Sequence, residues 1–203
     1  MAATSRGRQL TETHRLAQVR VGVATGVQMR DLWRLLDPTA LAETSPVWID
    51  AAVRMISTQH GISADLARRY YQALRVAELG VPLTGTLAAP PLVEEAVRTS
   101  LAVTGPVRIE RAIRRSASIE AATRTALTET ARSAQRHALT GGRAVIVETA
   151  RRDPRSGGWM RVTSGNACTF CESLAVRGAV FGEESVSFAA HDGCRCTGEP
   201  EFR

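Results

Sequence analysis

The chain has 203 residues, of which 44% are hydrophobic and 23% are charged, so its composition excludes a disordered polypeptide and allows one fair-sized core or two small ones. Its net charge of +6 rests on arginine alone, because the 26 basic residues include no lysine, and this permits an acidic or phosphate-rich partner without selecting one. No window approaches the roughly 18 apolar residues of a membrane span, and the N-terminus lacks the apolar core of a signal peptide. We therefore expect a chain made inside the cell, with no membrane partner.

The first part of the chain is predicted to be helical, because aromatic residues make up only 4% of the sequence and alanine, leucine, valine and arginine dominate it. Apolar residues recur at helical spacing in three segments. The following stretch, VPLTGTLAAPP at 81–91, holds three prolines and one glycine, which indicates a connector or hinge. The first predicted helix runs from about 10 to 36. The second begins at Ser45-Pro46, as N-cap and first turn, and ends near Gly61. The third begins at the N-cap Ser63 and ends at a left-handed cap at Gly80.

Two more helices are predicted after the connector, over 92–103 and from Pro106 to about 139, where Gly141-Gly142 would end the second. On the second, Arg108, Arg111 and Arg115 share one face. A solvated surface explains such a stripe, and an acidic partner or DNA is the alternative. Beyond the glycines, the runs AVIVET and WMRVT are rich in β-branched or aromatic residues, which predicts a hairpin.

All four cysteines lie near the C-terminus, in a CxxC followed after nineteen positions by HxxCxC. A CxxC turn directs two thiolates to one point, and a second pair from a distant segment completes the tetrahedron that zinc favours. Because thiols stay reduced inside the cell, this clustering favours a metal over disulfides, with buried unligated thiols as the alternative. One structural zinc ion is predicted, with the preferred ligands Cys168, Cys171, His191 and Cys194, and with Cys196 as the alternative to one of them.

The predicted fold class is a mainly α N-terminal helical region followed by a small α+β metal-knuckle domain. Residues 1–140 would form the helical body, with a hinge at 81–91, and residues 141–203 the C-terminal domain. The second predicted strand leads directly into the cysteines, so strand pairing would hold the knuckle against the body.

No enzymatic site is indicated by the sequence. Four or five soft ligands predict a closed metal site, and zinc deaminases place their HxE before PCxxC, the reverse of the order here. A redox CxxC lacks its βαβ setting, and the chain contains no GxSxG, GxxxxGK[ST] or HExxH. His14, His60 and His137 stand alone on predicted helices. We therefore predict no catalytic residue and no small-molecule substrate.

The run SGNACTFCESLAVRGAVFGEESVSFAAHDGCRCTGEPEF at 164–202 resembles the C-terminal domain of the Mu F-like minor head proteins of tailed phages. Their pattern is CxxC, then a segment with small and aromatic residues, then HxxCRC. The resemblance covers about 143–203, and QLTETHRLAQVRVG and LLDPTAL are similar to N-terminal stretches of such proteins from actinobacterial phages. It implies a low-copy minor capsid protein, made in the host cytoplasm and located in the virion, that acts in head morphogenesis near the portal.

The same resemblance implies the portal or the major capsid protein as partners, with packaged DNA against the arginine-rich helices. Because some members carry the label of capsid maturation protease, a serine-type protease using His137 or His60 is the alternative function. A non-specific nucleic-acid-binding module is a further alternative. Residues 172–190 hold one arginine and three acids, so the helical arginines rather than the knuckle would then carry the contact.

Overall fold

The computed structural model describes residues 2–85, 87, 90–163, 167–176 and 188–203. This part of the chain is mainly helical with a small sheet near the C-terminus, which confirms the predicted fold class. None of the described helices is both long enough and apolar enough to cross a membrane. In chain order the elements are α1 (Ser5–Leu32), a short 3-10 helix (Trp33–Leu35), α2 (Leu41–Leu79), α3 (Glu94–Thr104), α4 (Pro106–Arg114), α5 (Ile119–Arg152), β1 (Ser156–Val162), α6 (Thr169–Val176) and β2 (Thr197–Phe202).

The second and third predicted helices are one continuous helix, α2, so the predicted break between Gly61 and Ser63 is wrong. Ser63 does not cap a helix, because it is buried inside the molecule and its hydroxyl donates to Gln18 Oε1 over 2.7 Å. The predicted start at Ser45-Pro46 is also wrong. The helix begins at Leu41, and Pro46 lies close enough to that end to remove only an early helical hydrogen bond.

The end of α2 is as predicted. Gly80 adopts a left-handed conformation with φ of 77°, and its N–H donates to the Val76 carbonyl. Residues 86, 88 and 89 of the predicted hinge lie outside the described residues, while Val81 and Pro82 lie close to α2, because their carbonyls accept hydrogen bonds from Arg75.

The Gly141-Gly142 pair does not end a helix, since α5 continues through it to Arg152. A Cβ at Gly141 would collide with the carbonyl oxygen of His60, and one at Gly142 would lie 2.7 Å from Ser63 Oγ. The glycines therefore allow α5 to approach α1 and α2 closely. Continuing the helix also makes the predicted strand AVIVET wrong; its apolar run is a helix segment buried on nearly all sides.

The second predicted strand, WMRVT, is present as most of β1, but its partner is β2 rather than AVIVET. The strands are antiparallel, with Trp159 opposite Pro200 and Arg161 opposite Gly198. The sheet packs on α5, so Trp159 joins a core built by the C-terminal halves of α2 and α5.

A second core forms at the other end of the bundle, where the end of α1 and the start of α2 meet α3, α4 and the first half of α5. Trp48 is fully buried there. Helix α5 spans both cores and crosses position 140, while the division into a body at 1–140 and a domain at 141–203 stays a prediction. The architecture thus places one long helix against both the helical bundle and the cysteine-rich segment.

Candidate metal centre

Two short turns position the predicted metal ligands. Cys168 precedes α6 and its carbonyl accepts the Glu172 N–H over 3.0 Å, so Cys171 lies in the first turn of that helix. The second turn is closed by a 3.0 Å hydrogen bond from the Cys194 N–H to the His191 carbonyl. Gly193 makes that turn possible, because its φ of 81° is a conformation that side chains disfavour.

All five predicted ligands are brought together by these turns. Cys168, Cys171 and His191 have ligand atoms within 4.8 Å of one another, and so do Cys171, Cys194 and Cys196. Cys171 belongs to both groups, which makes it the centre of the cluster. The four cysteines are present as thiols rather than as disulfides.

The distances and the donor set suit zinc. In a tetrahedral site with Zn–S bonds of about 2.3 Å, two sulfurs lie ~3.8 Å apart. Cys171 Sγ lies 3.6 Å from Cys194 Sγ and 3.7 Å from His191 Nε2. Cys168 Sγ lies 2.9 Å from His191 Nε2, a hydrogen-bond length between two exposed side chains. The residues present therefore fit a metal ion that prefers thiolate and imidazole ligands, such as zinc.

The turn that carries His191 and Cys194 is docked on α5. The Gly193 N–H donates to the Arg132 carbonyl over 3.1 Å, and Arg136 Nε donates to Asp192 Oδ1 over 2.5 Å. A carbonyl inside a helix accepts such a bond only where the partner approaches closely, so the turn lies directly on the helix surface. The cluster is thus attached to the helical bundle through backbone as well as side chain.

Arg143 fixes the other side of this segment. It lies on α5, is almost completely buried, and donates from Nη2 to the Cys194 carbonyl over 2.7 Å and from Nε to the Cys196 carbonyl over 3.1 Å. Burial lowers the pKa of Arg143, while the nearby sulfurs of Cys194 and Cys196 oppose that shift. The helix therefore holds the backbone on either side of Arg195 in place.

A second buried arginine faces the sulfurs themselves. Arg161 of β1 places Nη1 3.7 Å from Cys171 Sγ and 3.9 Å from Cys194 Sγ, and donates to the Ala189 carbonyl. Phe188 contacts both cations, with its ring centroid 4.0 Å from Arg161 Cζ and 5.0 Å from Arg143 Cζ. Within the described part of the chain no carboxylate pairs with either guanidinium. Among the described residues, the nearby sulfurs of Cys171 and Cys194 are the groups that can carry the opposite charge.

The thiols differ in their protonation. Burial, together with the neighbouring Cys194, raises the pKa of Cys171 to about 11. A hydrogen bond with the Cys196 side chain lowers the pKa of Cys194 to about 4, with Arg143 contributing. A hydrogen bond with the Asp192 backbone raises the pKa of His191. Cys194 is therefore the anionic sulfur of the pair, and metal binding would release the proton of Cys171.

The other histidines lie apart from this centre. His14 is buried against Tyr70, with ring centroids 4.2 Å apart, and its Nε2 lies 3.2 Å from Thr197 Oγ1. Burial lowers the pKa of His14 to about 3 and that of His137 to about 4, and it also lowers the pKa of His60. These imidazoles are neutral at pH 7.

Sequence reasoning found the five donors but missed Arg143 and Arg161. For Arg161 a signal was present, because strand alternation places it on the same face as the buried Trp159. For Arg143 there was none, since the residue follows a glycine pair that was interpreted as the end of the helix. For Arg161, its place in the apolar run WMRVT shortly before the CxxC is a further pattern that could have indicated a counter-charge.

Comparison with known proteins gives one family. The family model described as VG15 protein matches residues 5–203, which is nearly the whole chain. Comparison with curated proteins and with solved structures gives no match.

Proposed function

We propose that this chain, which belongs to the VG15 protein family of phage proteins, is a virion structural and assembly protein of the Mu F-like kind. In this proposal it is a minor capsid protein that acts in head morphogenesis near the portal and the packaged DNA. The observation that carries the proposal is the closed CxxC and HxxCRC knuckle, docked on α5, because this motif is the one shared with those head proteins.

The knuckle would serve as a structural staple. Cys168, Cys171, His191 and Cys194 would hold one zinc ion, with Cys196 as the alternative to one of them, and the ion supplies a cross-link between α6 and the segment before β2. Arg161 stabilises the thiolates by its charge, and Arg143 holds the backbone carbonyls next to them. These roles keep the C-terminal segment rigid, as a surface that binds portal or capsid protein requires.

The protease alternative receives less support from the geometry. Among the described residues, no serine hydroxyl forms a hydrogen bond with the imidazole of His60 or His137. His137 Nε2 instead lies 3.2 Å from Arg136 Nη2, and its lowered pKa reflects burial. A general base needs contact with the hydroxyl that it activates. Co-expression with the major capsid protein of the same phage should therefore leave that protein uncleaved.

DNA remains a proposed partner, through exposed helical arginines. In the predicted arginine stripe, Arg108 forms a bidentate ion pair with Glu129, with N–O distances of 2.9 and 3.0 Å. The other two members, Arg111 and Arg115, are exposed. Exposed arginines alone would give non-specific contact that weakens as salt is raised. A structural head protein beside packaged DNA needs no stronger contact.

Quantitative mass spectrometry of purified procapsids and virions tests the proposal. We expect the chain in the particles at a copy number well below that of the major capsid protein, and enriched in portal-containing fractions after disassembly. In a phage lacking the gene, the Cys171→Ser variant should fail to restore particle yield, whereas Ser173→Ala, an exposed change on the same helix, should restore it. Absence from both procapsids and virions would overturn the assignment.

A further inference from the structure

A cleft of about 890 Å³ lies between α1, α5 and the metal centre. One wall is apolar, with Val19 from α1 and Leu127 and Ala131 from α5. The rest of the lining is rich in arginine and includes the exposed side of the ligands Cys168 and His191. The five arginines that line it are Arg15, Arg30, Arg124, Arg132 and Arg195.

Arginine is the main charged residue in the described lining of the cleft. Arg15 pairs with Glu12 and Arg124 pairs with Glu120. The acid in the lining, Asp192, is already neutralised by Arg136 outside it. Within the described residues, the remaining cations form no ion pair; these are Arg30, Arg132 and Arg195. A concave surface with three arginines that form no ion pair among the described residues attracts a ligand of opposite charge.

An apolar stripe on α1 adjoins the cleft. Leu16, Val23 and Val27 are 41%, 45% and 43% exposed, and their spacing of seven and four residues places them on one helix face. That face lies next to the one carrying Val19 and Arg30, which line the cleft. Exposed apolar side chains in a row beside a charged cleft are typical of a protein-binding surface.

The chemistry of the lining favours protein over nucleic acid. Single strands bind on aromatic platforms, and the lining residues described for this cleft include no phenylalanine, tyrosine or tryptophan. Duplex recognition inserts a convex helix or ribbon into a groove, whereas this surface is concave. The thiol and imidazole of the metal centre also add no phosphate-binding group. An anion that is partly apolar suits the cleft better than a sugar-phosphate chain.

We propose that this cleft and the α1 stripe bind an acidic amphipathic segment of a partner protein. Carboxylates of that segment pair with Arg30, Arg132 and Arg195, and its apolar side chains cover Leu16, Val23 and Val27. The inference rests on the proposed function only in taking the partner to be a protein of the same particle. Beyond the proposed function, this inference names the chemical class of the partner's segment and the surface of this chain that binds that segment.

Fluorescence anisotropy with a labelled amphipathic peptide of glutamate and leucine tests this site on the full-length, zinc-loaded chain. The reference probes are the same peptide with glutamine in place of glutamate and a labelled oligothymidine. We expect saturable binding of the acidic peptide at moderate salt and at least tenfold weaker binding of either reference. Equal or tighter binding of the glutamine peptide or of the oligonucleotide would overturn the proposal.

Variants locate the contact. Arg30→Glu should weaken peptide binding about tenfold, because it replaces an attraction by a repulsion, and Val23→Asn should weaken it by removing apolar contact. Arg54→Glu on α2 is the matched control, since Arg54 is exposed and lies outside the cleft. Unaltered binding in Arg30→Glu, or the same loss in Arg54→Glu, would exclude the cleft. Because the assay uses no phage particle, its outcome is independent of whether the chain is found in virions.

Discussion

Arg143 on α5 donates a 2.7 Å hydrogen bond to the carbonyl oxygen of Cys194, and so joins the helical bundle to the proposed metal site. The same guanidinium reaches the Cys196 carbonyl. Since α5 also packs along α1 and α2, a change in the knuckle is transmitted to the bundle through this side chain. Stability of the helices and retention of the metal should therefore depend on each other.

The first prediction concerns this link. Arg143→Leu removes two charge-assisted hydrogen bonds and leaves two carbonyls without their donor, so the free energy of unfolding should fall by about 3 kcal/mol. Urea unfolding of the zinc-loaded protein measures it. Arg151→Leu, an exposed change on the same helix, should shift stability by no more than about 0.5 kcal/mol. A similar loss of unfolding free energy in both variants would show that the hydrogen bonds from Arg143 to the two carbonyls contribute little to stability.

The second prediction separates packing from helix propensity. Alanine favours a helix over glycine by about 1 kcal/mol, yet Gly141→Ala should destabilise the protein, because its Cβ would meet the backbone of His60. Gly61→Ala in α2 has open space around the new methyl group and should be neutral or stabilising by up to about 1 kcal/mol. Thermal unfolding of the two variants compares the same substitution in the two settings. A stabilised Gly141→Ala would contradict the close approach of α5 to α2.

The third prediction is a pH dependence. The pKa of His14 is lowered from 6.5 to about 3 by burial, so the unfolded chain binds a proton below pH 6.5 that the folded chain does not. Stability should therefore fall as the pH drops from about 6.5 towards 3, by up to about 1.4 kcal/mol per pH unit for this group. The slope of unfolding free energy against pH measures it.

His14→Phe keeps a ring against Tyr70 and removes the titrating group, so it should flatten this slope even if it lowers stability at pH 7. His137, whose pKa is lowered to about 4, should account for part of the slope that remains. An unchanged slope in His14→Phe would mean that His14 is not buried in its neutral form.

The fourth prediction ranks the ligands. Cys171 lies in both ligand groups, so Cys171→Ser should abolish zinc binding and lower the melting temperature. Cys196→Ser should keep one zinc per chain if Cys168, Cys171, His191 and Cys194 are the set. Elemental analysis counts the metal, and the charge-transfer absorption of the cobalt-substituted protein counts the thiolates. Full zinc content in Cys171→Ser would contradict the proposed centre.

The local pattern of the sequence was sufficient for some of these features. The candidate donors were visible in the sequence because residue type and short spacing mark potential metal ligands, and the structure brings all five together: Cys168, Cys171, His191, Cys194 and Cys196. Helical periodicity predicted most helical residues, and Gly80 marked the true end of α2. These are properties of a few neighbouring residues, which a sequence displays directly.

Other features depended on neighbours that are distant in the chain. Gly141 and Gly142 look like a helix end in isolation, but they lie within α5 because α1 and α2 pack against that position. The strand β2, TGEPEF, has no alternating pattern and exists only because β1 provides hydrogen-bond partners.

The sequence by itself therefore determined the helical class and the residues of the candidate metal cluster. Only the tertiary structure decided where helices continue, which strand pairs with β1, and that Arg143 and Arg161 face the sulfurs. The physical reason is that close packing and the compensation of buried charge involve residues far apart in the chain, whereas capping, periodicity and ligand spacing involve adjacent ones.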